Sequence, residues 1–192
     1  MKIDQQIGFS TILFDSLFGL ILFFSLDSFL DIKGFYQFIF YLFSAIIVIH
    51  WWLVFKSADD AFREEVDDSA IDLVFGIVYI IFLEFIVLMS RDFNLVKATY
   101  YLLALLALDL VWALAWRYLG QWHTTDTKKI KKMEIELNYN IGINIIAIIL
   151  FALLIIVNSI ISIPFYLTLF IVLYIIYIIL TFRTKIIDLK IF

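Results

Sequence analysis

Apolar runs of about twenty residues recur along this chain with short polar breaks between them, and no other feature restricts its fold so tightly. A helix of about 20 apolar residues spans the ~30 Å of hydrocarbon in a bilayer. Inside that layer each backbone N–H and C=O needs a partner within the protein, so only helices and closed barrels cross it. Windows of about 19 residues mark six runs, at 7–30, 35–55, 70–90, 95–117, 139–162 and 164–183. With 65% hydrophobic residues in a 192-residue chain and a mean hydropathy of +1.05, a water-soluble domain is excluded. The expected fold is all-α: a polytopic integral membrane bundle of six transmembrane helices, forming one domain over residues 1–192. The first run is read as a true span, because it is too long for a signal peptide and has only Lys2 before it. The fifth and sixth are separated by Ser162, Ile163 and Pro164, with Asn158 and Ser159 supplying turn chemistry and the proline suiting a first helical turn.

The connections carry the orientation. Lys2, Lys56, Arg63, Arg117, Lys128, Lys129, Lys131, Lys132, Arg183, Lys185 and Lys190 fall on one side, eleven of the fourteen Lys and Arg residues, and only Lys33, Arg91 and Lys97 on the other. Basic residues stay in the cytoplasm, so both termini are expected there; the high isoleucine, phenylalanine and tyrosine content points to a prokaryotic cytoplasmic membrane as the setting. The acidic second connection (Asp59, Asp60, Glu64, Glu65, Asp67, Asp68) has neither the glycine nor the ligand spacing of a calcium loop. It reads as a solvated helical extension of the second span. The basic cluster TKKIKK beside the fifth span serves as a topology signal and can touch anionic headgroups.

Ionisable groups at membrane depth are costly and therefore informative. They are Asp15 and Asp27 in the first span, His50 in the second, Asp72 and Glu84 in the third, and Asp109 in the fourth. At about 1.5 Å per residue, Asp15, His50 and Asp109 are expected to share a layer in the inner half. Two readings of that layer stand side by side. In one it is a buried polar network with the indole N–H groups of Trp51, Trp52 or Trp112 that fixes helix packing; in the other it is a proton relay or ion site. Glu84 lacks a basic partner at its depth, so it lines water, is protonated, or pairs with Tyr36 or Tyr100. Asp27 and Asp72 lie near helix ends, where water reaches them.

The absence of cysteine excludes disulfides and thiolate metal sites. No HExxH, nucleophile elbow, phosphate-cradling glycine loop or basic-aromatic surface occurs, so ordinary catalysis, bound metal or cofactor, and nucleic-acid binding are not expected.

The run Leu13, Phe14, Asp15, Ser16, Leu17, Phe18, Gly19, Leu20, Ile21, Leu22, and the later series from Ser44 to His50, Trp51 and Trp52, resemble the first two helices of the TMEM175-like family of potassium channels. That family's order of tryptophan and histidine is reversed here, and Phe9 stands where it usually has an arginine. The resemblance implies that the first helix lines a pore on the axis of a homo-oligomer, with bulky residues forming the constriction. The matching positions are Leu20, Phe24 and Asp27, at helical spacings of four and three. Asp27 would place a carboxylate ring at the outer mouth to attract monovalent cations, while Asp15, His50 and Trp52 would hold the first two spans together. The leading expectation is an oligomeric, potassium-like cation channel. A proton-coupled small-solute carrier using Asp109 and Glu84 is one alternative; another is a non-transporting membrane sensor or effector with an operon-encoded protein partner.

Overall fold

The structure is a computed structural model that describes residues 3–62, 70–119 and 127–188. All regular structure among these residues is helical: α1 (Ile3–Leu30), α2 (Phe35–Phe62), α3 (Ala70–Arg91), α4 (Leu95–Leu119), α5 (Thr127–Val157) and α6 (Ile163–Asp188). Five helices, α2 to α6, are long and apolar enough to cross a membrane, as an integral membrane protein requires.

Four helices outrun the apolar windows that mark them by four residues or more, α1 by beginning at Ile3 rather than 7. The second window ends at 55, but α2 continues through Lys56, Ser57, Ala58, Asp59 and Asp60 to Phe62; α5 begins at Thr127 rather than 139, and α6 reaches Asp188 rather than 183. Hydropathy marks the crossing alone, and lysine, glutamate and alanine propagate a helix well once it has left the hydrocarbon. Acids 64, 65, 67 and 68 of the second connection, and His123 of the fourth, lie outside the described residues. The basic cluster belongs to the first turns of α5.

The helices form two compact units, Met1–Leu102 and Leu103–Phe192. In the first, α1, α2 and α3 pack against one another. Buried residues on α2 (Phe40, Phe43, Ser44, Ile47, Val48, Trp51) and α3 (Tyr79, Leu83, Ile86, Val87, Ser90) follow the three-and-four spacing of one helical face. The Trp51 and Tyr79 rings lie 5.2 Å apart. Serine on these faces permits close backbone approach. Ser25, Ser44 and Ser90 each donate to a carbonyl three residues earlier, at 2.6, 2.7 and 2.6 Å, so none of these three hydroxyls is stranded in hydrocarbon.

One end of this unit is tied by polar contacts. Gln37 Nε2 donates to the Arg91 carbonyl at 2.6 Å while its Oε1 accepts from the Lys33 N–H at 2.9 Å, and Arg91 pairs with Asp31 at 2.7 Å. The α3–α4 turn is closed by the Phe93 N–H on the Ser90 carbonyl and the Asn94 N–H on the Met89 carbonyl, the two bonds of a Schellman motif. Phe93 takes the left-handed position at φ 49°, a place glycine usually fills. Its ring sits edge-on to Phe40 at 6.3 Å. Asn94 also caps α4, its Oδ1 accepting from the Lys97 N–H at 3.0 Å. Asn94→Ala is expected to cost about 1 kcal/mol, measured as a shift in the denaturant midpoint of the protein in detergent micelles, with the helix content unchanged.

In the second unit α5 and α6 are antiparallel neighbours. Tyr139 meets the Leu180 carbonyl at 3.3 Å, Tyr177 meets Asn144 at 3.0 Å, and Phe151 packs on Phe170 at 5.7 Å, partners that run in opposite directions along the two helices. The turn between them follows the expected break. Ser162 accepts the Tyr166 N–H at 2.9 Å at the start of α6, and Pro164 falls in the first turn, where a missing N–H costs nothing.

Candidate functional site

Two arrangements gather the polar groups that the hydrocarbon makes expensive. The first is the outward face of α1. Phe18, Ile21, Ser25 and Ser28 turn inward and are buried, which leaves Ser16, Gly19, Leu20, Phe23, Leu26 and Asp27 exposed. Leu20 and Asp27, both expected to line a pore, are thus on one outward face, seven residues or two turns apart. The side chains of Phe24 and Asp72 lie outside those described. A Cβ added at Gly19 would meet nothing, so this stretch of the face is open within the chain.

On the same helix Asp15 accepts a hydrogen bond from Trp52 Nε1 at 2.7 Å, joining α1 to α2. The pair is on the outside of the unit, whereas His50 is 3% exposed, edge-on to Trp51 at 6.0 Å. His50 and Trp52 are two positions apart, about 200° around a helix, so their side chains leave α2 in widely different directions.

The second arrangement is in the other unit, where α4, α5 and α6 each contribute one group. Asn144 Nδ2 donates to Asp109 Oδ2 at 2.6 Å, and the Tyr177 hydroxyl donates to Asn144 Oδ1 at 3.0 Å. Asn144 and Tyr177 are 2% and 5% exposed; Asp109 is half-buried. The three sit well inside the apolar stretches 95–115, 134–157 and 163–182. Asp109 stands out in the sequence as a charge in an apolar run. Asn144 and Tyr177 do not, although the polar group Asn138, Asn140, Asn144 within an isoleucine-rich helix is a signal that could have found the former.

Glu84 departs from a place in a buried network. Leu83, Ile86 and Val87 fill the inward positions of α3, so Glu84 faces outward, among exposed Ile77, Ile81, Phe85 and Leu88. The expected partners Tyr36 and Tyr100 are themselves exposed, and no hydrogen bond joins either to Glu84 among the described residues. Among the described residues no group of three or more His, Cys, Asp or Glu is placed to hold a metal ion.

No family model, no curated protein and no solved structure matches this chain.

Proposed function

We propose that the protein is an oligomeric cation pore of a prokaryotic cytoplasmic membrane, with α1 as a sixth span, both termini cytoplasmic, and copies of α1 surrounding the axis. The observation that carries this reading is the character of α1's outward face. The exposed positions within the apolar runs include Leu42, Ile46, Ile49 and Leu53 on α2, Ile145, Ile146, Ile149 and Leu153 on α5, and Val172, Ile175, Ile176 and Ile179 on α6, all suited to lipid, while α3 exposes the single carboxylate Glu84 among Ile77, Ile81, Phe85 and Leu88. On α1 the outward face carries Asp15, Ser16, Gly19 and Asp27 beside Leu20 and Phe23.

Carboxylates and small residues gain nothing from lipid and gain much from a neighbouring copy or a water-filled axis. Around an axis the Asp27 carboxylates form a ring that concentrates cations at one mouth, and Leu20 two turns deeper forms an apolar constriction that gates by excluding water. The resemblance of the first two helices to potassium channels points the same way, and potassium is the ion proposed. The test is ion flux into liposomes containing the purified protein under potassium and then sodium gradients. Potassium flux above that of empty liposomes is the expected result; folded, inserted protein that passes neither ion overturns the reading.

A further inference from the structure

The chain Tyr177–Asn144–Asp109 has a direction, and its direction depends on one proton. As it stands, the hydroxyl of Tyr177 donates to Asn144, and the amide of Asn144 donates to Asp109. Every donated hydrogen points toward the carboxylate, the order that an ionised acid requires, since a carboxylate only accepts. A neutral carboxyl would present an O–H instead. The amide of asparagine has both an acceptor and a donor end, and half a turn about its last side-chain torsion exchanges them. Asp109 then donates to Asn144 Oδ1, and Asn144 Nδ2 donates to the Tyr177 oxygen, which has lone pairs to accept it. Both protonation states of the acid are therefore satisfied without repacking a helix, provided the Tyr177 O–H turns to another acceptor in the neutral state, for which the Thr181 side chain, hydrogen-bonded to Tyr177, is placed.

We propose that Asp109 is a proton-binding site within the membrane, and that Asn144 and Tyr177 form a reversible hydrogen-bond chain that accommodates its charged and its neutral forms. The exposure pattern suits this role: the two neutral groups are buried, and the acid at the end of the chain is half-buried, leaving it a side from which a proton arrives and departs. A metal ion is a poor fit. A dehydrated hard cation takes about six oxygens, and the cluster offers one carboxylate, one amide oxygen and one hydroxyl.

The titratable or charged groups that the three helices bring toward this level are few. On α6, Tyr174 is buried with its ring 5.7 Å from that of Tyr177. On α5, Tyr139 is bonded to the Leu180 carbonyl. On α4, Arg117 lies eight residues beyond Asp109, and on α5, Glu136 lies eight residues before Asn144, each ~12 Å along its helix. The proposal is independent of conduction along α1, and its test reads protonation rather than flux.

The experiment is infrared difference spectroscopy of the full chain in lipid vesicles, stepped between mildly acidic and mildly alkaline buffer. A carboxylic C=O band that appears on acidification, shifts when the protein is grown with isotope-labelled aspartate, and is lost in Asp109→Asn is the expected result. In Tyr177→Phe that band persists but moves in frequency and in pH midpoint, because the far end of the chain no longer accepts or donates. Persistence of every acid-induced band in Asp109→Asn overturns the site. A band lost in Asp109→Asn yet identical in Tyr177→Phe overturns the chain. Should Asp109→Asn fail to fold, the isotope shift and Tyr177→Phe decide: no aspartate-dependent band, or no response to the tyrosine change, overturns the proposal.

Discussion

Leu20→Ala is expected to raise cation flux through reconstituted protein by about tenfold, the change that ~1.4 kcal/mol removed from a barrier produces. Leu20 is 44% exposed on α1, and a side chain that makes so little of its contact within the chain contributes little to the fold. Its truncation should leave the denaturant midpoint and the oligomeric state close to those of the unsubstituted protein. In the pore, by contrast, shortening a ring of leucines widens an apolar constriction and lets water bridge it, which is how such constrictions open. Asp27→Asn on the same face should do the reverse, lowering cation flux most at low ionic strength, where the attraction of a carboxylate ring is least screened. Unchanged flux in Leu20→Ala, with the protein demonstrably inserted, would remove α1 from the axis.

Asn144→Leu is expected to be the most destabilising single change in the second unit, costing about 2–3 kcal/mol. Asn144 is the middle link, bonded on one side to Asp109 and on the other to Tyr177. Its removal takes one hydrogen bond from a half-buried carboxylate and another from a buried hydroxyl at once, and removing a partner from a buried polar group costs more than the net worth of the bond itself. Asp109→Leu alone removes the most expensive group and leaves only half of an amide unsatisfied, so it should cost less. The double variant Asp109→Leu with Asn144→Leu should recover part of the loss, giving a coupling energy of about 1 kcal/mol or more for residues in one network. Reversible denaturation of the four proteins in detergent micelles measures the cycle. Additive losses would show that the two side chains act independently.

The breaks between helices were legible because their causes are local. Pro164 and the polar turn before it separate α5 from α6, and α3 ends at Arg91 and α4 begins at Leu95, close to the limits drawn from hydropathy. Asn94 looks unremarkable in sequence, yet it closes one helix and caps the next. The start of α5 and the end of α6 were less legible, since a hydropathy window ends where the charges begin and a helix need not, whereas the run of α2 beyond its window to Phe62 follows the helical extension expected there.

Which way each helix faces was not legible. In a soluble helix the apolar stripe marks the core; here Leu83, Ile86 and Val87 face inward on α3 while Ile77, Ile81 and Leu88 face outward, and the two sets are chemically alike. With lipid as apolar as the protein interior, the periodicity that would orient a helix is absent. Hence Glu84, one residue after buried Leu83, points outward, and the partners of Asp109 stayed hidden among isoleucines and tyrosines. The sequence by itself determined the membrane-embedded, all-helical class, the places where the chain turns, and the identities of the costly ionisable groups, because those follow from the free energy of moving each residue into hydrocarbon. Only the tertiary structure decided that Asp15 meets Trp52, that Asp109 meets Asn144 and through it Tyr177, and that α1 turns Leu20 and Asp27 outward, because those depend on the rotation of each helix about its own axis.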